Sequence, residues 1–212
     1  MQISKYRELI YRLPVRAQSS RAKEVSWFAK QNPFLDHAYR NIFKIENGFI
    51  ELDRQEIFDE QNPIHRFLKT IFWGYPTKGR GNNLKNVMSN SAQILMILEV
   101  FKGKNMTKVE YHDIITRFAT IKGLGASTWT KFFYFFELSI DDNQTLIFDN
   151  QIIQSLKRCH FNEFNKIKHL RKVNENHYLE YISCLNDVAN DIECAPDQLE
   201  LFLFYFNNNY KL

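Results

Sequence analysis

The chain has 212 residues, with 28 Lys and Arg against 24 Asp and Glu and a formal net charge of +4. That length fits one large domain or two small lobes, and so modest a charge allows nucleic-acid binding without requiring it. No apolar run is long enough for a membrane span, and the opening MQISKYRELIYRL has no stretch suited to a signal peptide, so a cytoplasmic location is expected.

Aromatic residues make up 15% of the chain and Gly and Pro number only 7 and 5, which favours a helical core. Residues 3–13 read as a short helix stopped before Pro14. Ser19 and Ser20 can start a second, carrying Val25, Trp27 and Phe28. Pro33 can sit in the first turn of a third, with Phe34, Leu35, Ala38, Ile42 and Phe43. Asn47-Gly48 is a turn, followed by a brief extended run from Phe49 to Leu52. Asp53 and Glu56 have capping-box spacing, and Pro63 starts a helix holding Ile64, Phe67, Leu68 and Ile71. Alternating strand patterns are almost absent from this first third, so no N-terminal β domain is expected.

The stretch Trp73-Gly74-Tyr75-Pro76-Thr77-Lys78-Gly79-Arg80-Gly81-Asn82-Asn83 reads as a loop. Trp73 and Tyr75 beside Lys78 and Arg80 supply what is needed to stack a base and steady a phosphate. The same residues also suit an ordinary interhelical loop whose Trp plugs the core. Asn83–Phe101 reads as one apolar helix, buried on much of its surface.

Thr107 and Glu110 form a second capping box, opening a helix with Tyr111, Ile114, Ile115 and Phe118 on its apolar face. It must end at Gly123-Leu124-Gly125, and Ser127 and Thr128 offer capping oxygens for the next helix. The outward amides of such a helix start, with its dipole, suit a phosphate, and Lys122, Lys108 and Lys104 would add charge. A plain helical hairpin that happens to end in glycine has the same local sequence. Leu146-Ile147-Phe148 is an extended apolar run closed by Asp149. Helices follow at 150–158, 162–172 and 175–192 and from near Pro196. The last presents Leu199, Leu201, Phe202, Phe204, Tyr205 and Phe206, a stripe that either packs the core or lines a pocket.

Cys159, Cys184 and Cys194 are odd in number and widely spaced, giving neither a disulfide framework nor a zinc pattern. His37, His65, His112, His160, His169 and His177 are scattered. No metal and no cofactor is expected.

Taken together, Gly123-Leu124-Gly125, the helix from Ala126 to Leu138, and Leu146-Ile147-Phe148-Asp149 resemble the helix-hairpin-helix DNA glycosylase superfamily. Within it they are similar to the bacterial 8-oxoguanine glycosylase-like proteins. The phrases WGYPTKGRGNN, STWTKFFYFF and PDQLELFLFYF extend the likeness from about Phe67 to the C-terminus. The resemblance implies an all-α fold, a single domain over 1–212. It would comprise two helical lobes split near residue 70, with the hairpin unit 107–136 at their junction. It implies excision of a modified purine, 8-oxoguanine or another altered guanine, from DNA. Lys122, Gly123, Leu124, Gly125, Ser127 and Thr128 would then bind the DNA. Trp73, Tyr75, Lys78, Arg80 and Phe202 would border the base.

Breaking an N-glycosidic bond develops positive charge on the deoxyribose, and a carboxylate beside the sugar stabilises it. The resemblance gives that role to Asp149, although an aspartate opening a helix is also an ordinary N-cap. In the 8-oxoguanine enzymes a lysine two residues past the hairpin forms a Schiff base with the sugar. Here that position holds Ser127. Lys131, one turn further on the same face, can reach the same space, or it can be a solvated helix lysine. Without a lysine nucleophile the enzyme would be monofunctional, with Asp149 activating water. Relatives also occur in bacterial anti-phage operons. The resemblance therefore equally admits a CBASS-like defence role without glycosidic cleavage, with a defence-system protein or a nucleotide as partner.

Overall fold

The computed structural model describes residues 2–24, 40–75, 81–158 and 160–206. Among these residues the fold is mainly helical, with two three-stranded sheets. The α-helices of the first half are α1 (Arg7–Tyr11), α2 (Arg54–Phe58), α3 (Pro63–Gly74), α4 (Asn83–Ser89) and α5 (Ser91–Phe101). Those of the second half are α6 (Lys108–Ala119), α7 (Ala126–Phe135), α8 (Asn150–Arg158), α9 (Glu175–Asp191) and α10 (Pro196–Phe206). No described helix is long and apolar enough to cross a membrane. The chain divides into two compact units that interleave in sequence. One comprises Met1–Val15, Gly103–Tyr111 and Gly125–Leu212; the other comprises Arg16–Lys102 and His112–Leu124.

In the second of these units, Ser19–Lys23 is strand β1 rather than the expected helix start. It pairs antiparallel with β3 (Phe49–Asp53), which also pairs with β2 (Ile45–Glu46), in the order β1-β3-β2. The expected helix start at Ser19 and Ser20 is thus corrected, while the brief extended run expected over Phe49–Leu52 is β3. In β1 only Ala22 is buried, opposite Ile50, so the alternation is too faint to read locally and the pairing decides it. Val25, Trp27, Phe28 and the expected helix start at Pro33 lie outside the described residues. Asn47 and Gly48 make the β2–β3 turn, with φ of 52° and 75°, as a tight hairpin demands. The Asp53–Glu56 capping box is present, and Asn62 caps α3 at Pro63.

The single apolar helix expected over Asn83–Phe101 is broken at Asn90. There the side-chain amide donates to the Asn86 carbonyl at 2.8 Å, competing with the helical ladder. Burial is also lower than expected, since Met96 and Val100 of α5 are exposed.

In the other unit, β4 (Asn105–Met106) lies parallel to β5 (Ser139–Ile140), which turns back into β6 (Asn143–Gln144). The Thr107–Glu110 box forms: the Thr107 N–H donates to the Glu110 carboxylate at 2.8 Å, and the Glu110 N–H donates to the Thr107 hydroxyl at 3.3 Å. Residues 162–172 are not a helix but a 3-10 turn at Asn162–Ile167 followed by loop. Phe164, Ile167 and Leu170 are buried at a spacing that tight turn satisfies. The core centres on Tyr111, Trp129, Phe133, Phe148, Tyr178 and Tyr181. In it Trp129 meets Tyr178 edge-on at 4.9 Å and Phe148 stacks on Tyr181 at 4.5 Å.

Candidate active site

The two hairpin glycines differ. Gly123 has φ +93°, and a Cβ there would lie 2.7 Å from the Asn83 Cα. It is a glycine because its own chain approaches it. Gly125 has an ordinary φ of −82°, and a Cβ there would meet no described atom within 4 Å. It stands as N-cap of α7, a position where it has no side chain to cap with, so the cap residue is Gly125 and neither Ser127 nor Thr128. Leu124 between them is buried and Lys122 exposed. Lys108 sits at the opposite end of α6 from the hairpin and pairs with Asp141 at 3.1 Å.

Helix α7 is apolar nearly all round, and its residues Thr128 to Phe135 are all buried. Lys131 is among them, at 6% exposure, so it is not a solvated helix lysine. Its Nζ donates to the Ser127 carbonyl at 2.6 Å and to the Ser127 hydroxyl at 3.3 Å. Its amine therefore comes back one turn, to Ser127. On its other side, Nζ lies 3.9 Å from Asp149 Oδ2.

Asp149 does two things at once. Its Oδ1 accepts from the Gln151 and Ile152 N–H groups at 2.9 and 3.2 Å, which caps α8. Oδ2 faces Lys131, and the carboxylate keeps 18% of its side-chain surface exposed. The pair is a buried amine beside a partly open carboxylate, held by the backbones of two helix starts. Such a pair can attack an electrophilic carbon and pass a proton between its members.

Over residues 13–204 the sequence matches the family described as "Putative 8-oxoguanine DNA glycosylase OGG-like protein". The chain belongs to this OGG-like family. No curated protein and no solved structure matches it. Family membership supports a DNA glycosylase-like function with DNA as the partner.

Other expected site residues of this OGG-like protein fall elsewhere. Trp73 belongs to the last turn of α3, not to a loop. It is 8% exposed, its indole N–H donates to the Gln18 carbonyl at 3.3 Å, and the Arg54 guanidinium lies over its ring. That is the core-plug arrangement. Tyr75 follows as the half-buried C-cap, whereas Lys78 and Arg80 lie outside the described residues. Phe202 is buried among Tyr6, Phe161 and Phe206, as core stripes usually are.

Sequence reasoning missed the residues that hold the approach to Asp149: Thr130, Tyr178, Tyr181, Asn186 and Glu200. The Thr130 hydroxyl accepts from the Phe148 N–H at 3.2 Å. Asn186 takes both peptide groups of Gln144, at 3.0 and 3.1 Å. A polar residue inside an apolar stripe was the available signal, but it does not name its partner.

Proposed function

We propose that this OGG-like protein is a bifunctional DNA glycosylase that excises a modified purine, with Lys131 as nucleophile and Asp149 as its carboxylate partner. The observation that carries this reading is the buried Lys131 amine, turned back to Ser127 and 3.9 Å from Asp149 Oδ2. Asp149 takes a proton from the ammonium, leaving a neutral amine. The nitrogen lone pair attacks C1′ of the deoxyribose as the bond from C1′ to the base breaks. The bonding electrons leave with the base, which takes the proton that Asp149 removed from the ammonium. Once that proton has passed to the base, the Asp149 carboxylate is again anionic and faces the positive charge at C1′. The attached nitrogen, now carrying two protons, loses one to Asp149; its lone pair expels the ring oxygen, which takes that proton, giving the protonated imine and a hydroxyl.

On this reading the open space at Gly125 and the start of α7 receive the DNA backbone. A duplex target must be flipped out to reach the pair.

Borohydride trapping on duplexes carrying modified guanines, beside simple base release, tests the assignment. Wild type should give a covalent adduct, and Lys131→Gln should lose both adduct and release. Asp149→Asn should lose release while still binding the duplex. Base release that persists in Lys131→Gln, without adduct, would make the enzyme monofunctional. DNA bound with neither release nor adduct on any substrate would overturn the glycosylase assignment in favour of a binding or defence role.

A further inference from the structure

The residues leading into Asp149 are extended and buried, yet no sheet holds them. Leu146, Ile147 and Phe148 lie past the end of β6, and none of their N–H groups meets a backbone acceptor among the described residues. Buried peptide groups must nevertheless be satisfied. Side chains do it here. The Tyr178 hydroxyl accepts from the Leu146 N–H at 3.2 Å and donates to the Leu146 carbonyl at 3.0 Å. One tyrosine thus mimics both bonds of a neighbouring strand. The Glu200 carboxylate accepts from the Ile147 N–H at 2.9 Å, and the Tyr181 hydroxyl donates to the Ile147 carbonyl at 3.0 Å.

These three side chains are buried, at 0%, 1% and 0% exposure for Tyr178, Glu200 and Tyr181. Placing an acidic side chain there costs desolvation that a plain apolar core would avoid. What it secures is position. A ladder fixes a strand by register with its neighbour, but these bonds fix each peptide separately against α9 and α10. They act on the residues immediately before Asp149.

We propose that Tyr178, Tyr181 and Glu200 are positioning residues. They clamp the peptides of Leu146 and Ile147 so that the Asp149 carboxylate caps α8 with one oxygen and keeps the other at Lys131. This rests on the glycosylase reading for its catalytic consequence, though not for the clamp itself.

The test uses the full chain with Tyr181→Phe, Glu200→Ala and Glu200→Gln. Single-turnover base release is measured beside duplex Kd, and amide hydrogen exchange beside both. Tyr181→Phe removes one oxygen and Glu200→Ala one acceptor. Each should slow release by roughly 10- to 100-fold, the cost of sub-ångström misplacement, with Kd unchanged. Glu200→Gln keeps an acceptor oxygen and should restore most of the rate. In Glu200→Ala the Ile147 amide should lose roughly tenfold protection while the amides of α9 keep theirs. A wild-type rate in Tyr181→Phe would overturn the proposal, even if Glu200→Ala fails to fold. So would loss of rate and Kd in step with thermal stability, or unchanged exchange at Ile147. If wild type releases no base, the glycosylase reading fails, and the exchange arm alone decides the clamp.

Discussion

Two segments of this chain share one local design. Phe49-Ile50-Glu51-Leu52 runs extended into Asp53, which caps α2; Leu146-Ile147-Phe148 runs extended into Asp149, which caps α8. At Asp53 the cap is closed reciprocally, since Glu56 at the third helical position reaches back to the Asp53 N–H at 3.0 Å. At Asp149 the third position is Ile152, and what faces the spare oxygen is a buried lysine. β3 is held by the backbones of β1 and β2, whereas the run into Asp149 is held by side chains from three helices. A capping carboxylate has two oxygens, and the partner of the second separates a structural cap from a candidate active site.

The sharpest way to break this comparison is to neutralise both caps. Asparagine still caps a helix, so Asp53→Asn should leave the melting temperature nearly unchanged, whereas Asp149→Asn, which also takes the negative charge from beside buried Lys131, should lower it. Base release should fall by roughly 10²- to 10³-fold in Asp149→Asn and stay at wild type in Asp53→Asn. Equal losses would erase the distinction.

The hairpin glycines give a second contrast, read by denaturant midpoint and by fluorescence anisotropy on duplex DNA at fixed salt. Gly123→Ala forces a Cβ into the Asn83 backbone at positive φ, costing on the order of 1–3 kcal/mol of stability. Gly125→Ala meets no described atom and should leave the midpoint alone while weakening DNA binding.

Removing the caps altogether ranks next. Asp53→Ala should cost about 0.5–2 kcal/mol, with catalysis intact. Asp149→Ala should cost more, because it also strips the carboxylate from beside Lys131.

The smallest effect belongs to Glu110. The Thr107 N–H, then the Thr107 hydroxyl, hold its carboxyl below the ordinary 4.5. A carboxyl depressed on folding lends stability that is present above that ordinary value and fades as pH falls through the folded one. Glu110→Gln keeps the box but removes the charge, so melting temperature against pH should flatten on the acid side only.

Much of this was legible in the sequence because it depends on near neighbours. Both capping boxes, the Asn47-Gly48 turn and the Pro63 helix start are short-range arrangements of backbone and side chain. So is the pairing of Lys131 with Ser127, since residues one turn apart on a helix share a face. The misreadings concern segments whose state is set at a distance. Ser19–Lys23 carries one buried side chain and became a strand because β3 was there to pair with it. Trp73 could not be told from a stacking platform until Gln18 and Arg54 were placed around it.

The sequence by itself determined a mainly helical fold, both capping boxes and an aspartate at the head of α8. It also placed Lys131 one helical turn from Ser127. Tertiary structure decided that this lysine is buried, that it meets Asp149, and that the run into Asp149 is held by Tyr178, Tyr181 and Glu200. The physical reason is burial. A peptide group or an amine removed from water takes whatever partner the fold brings to it, and that partner can lie more than fifty residues away, as Glu200 does from Ile147.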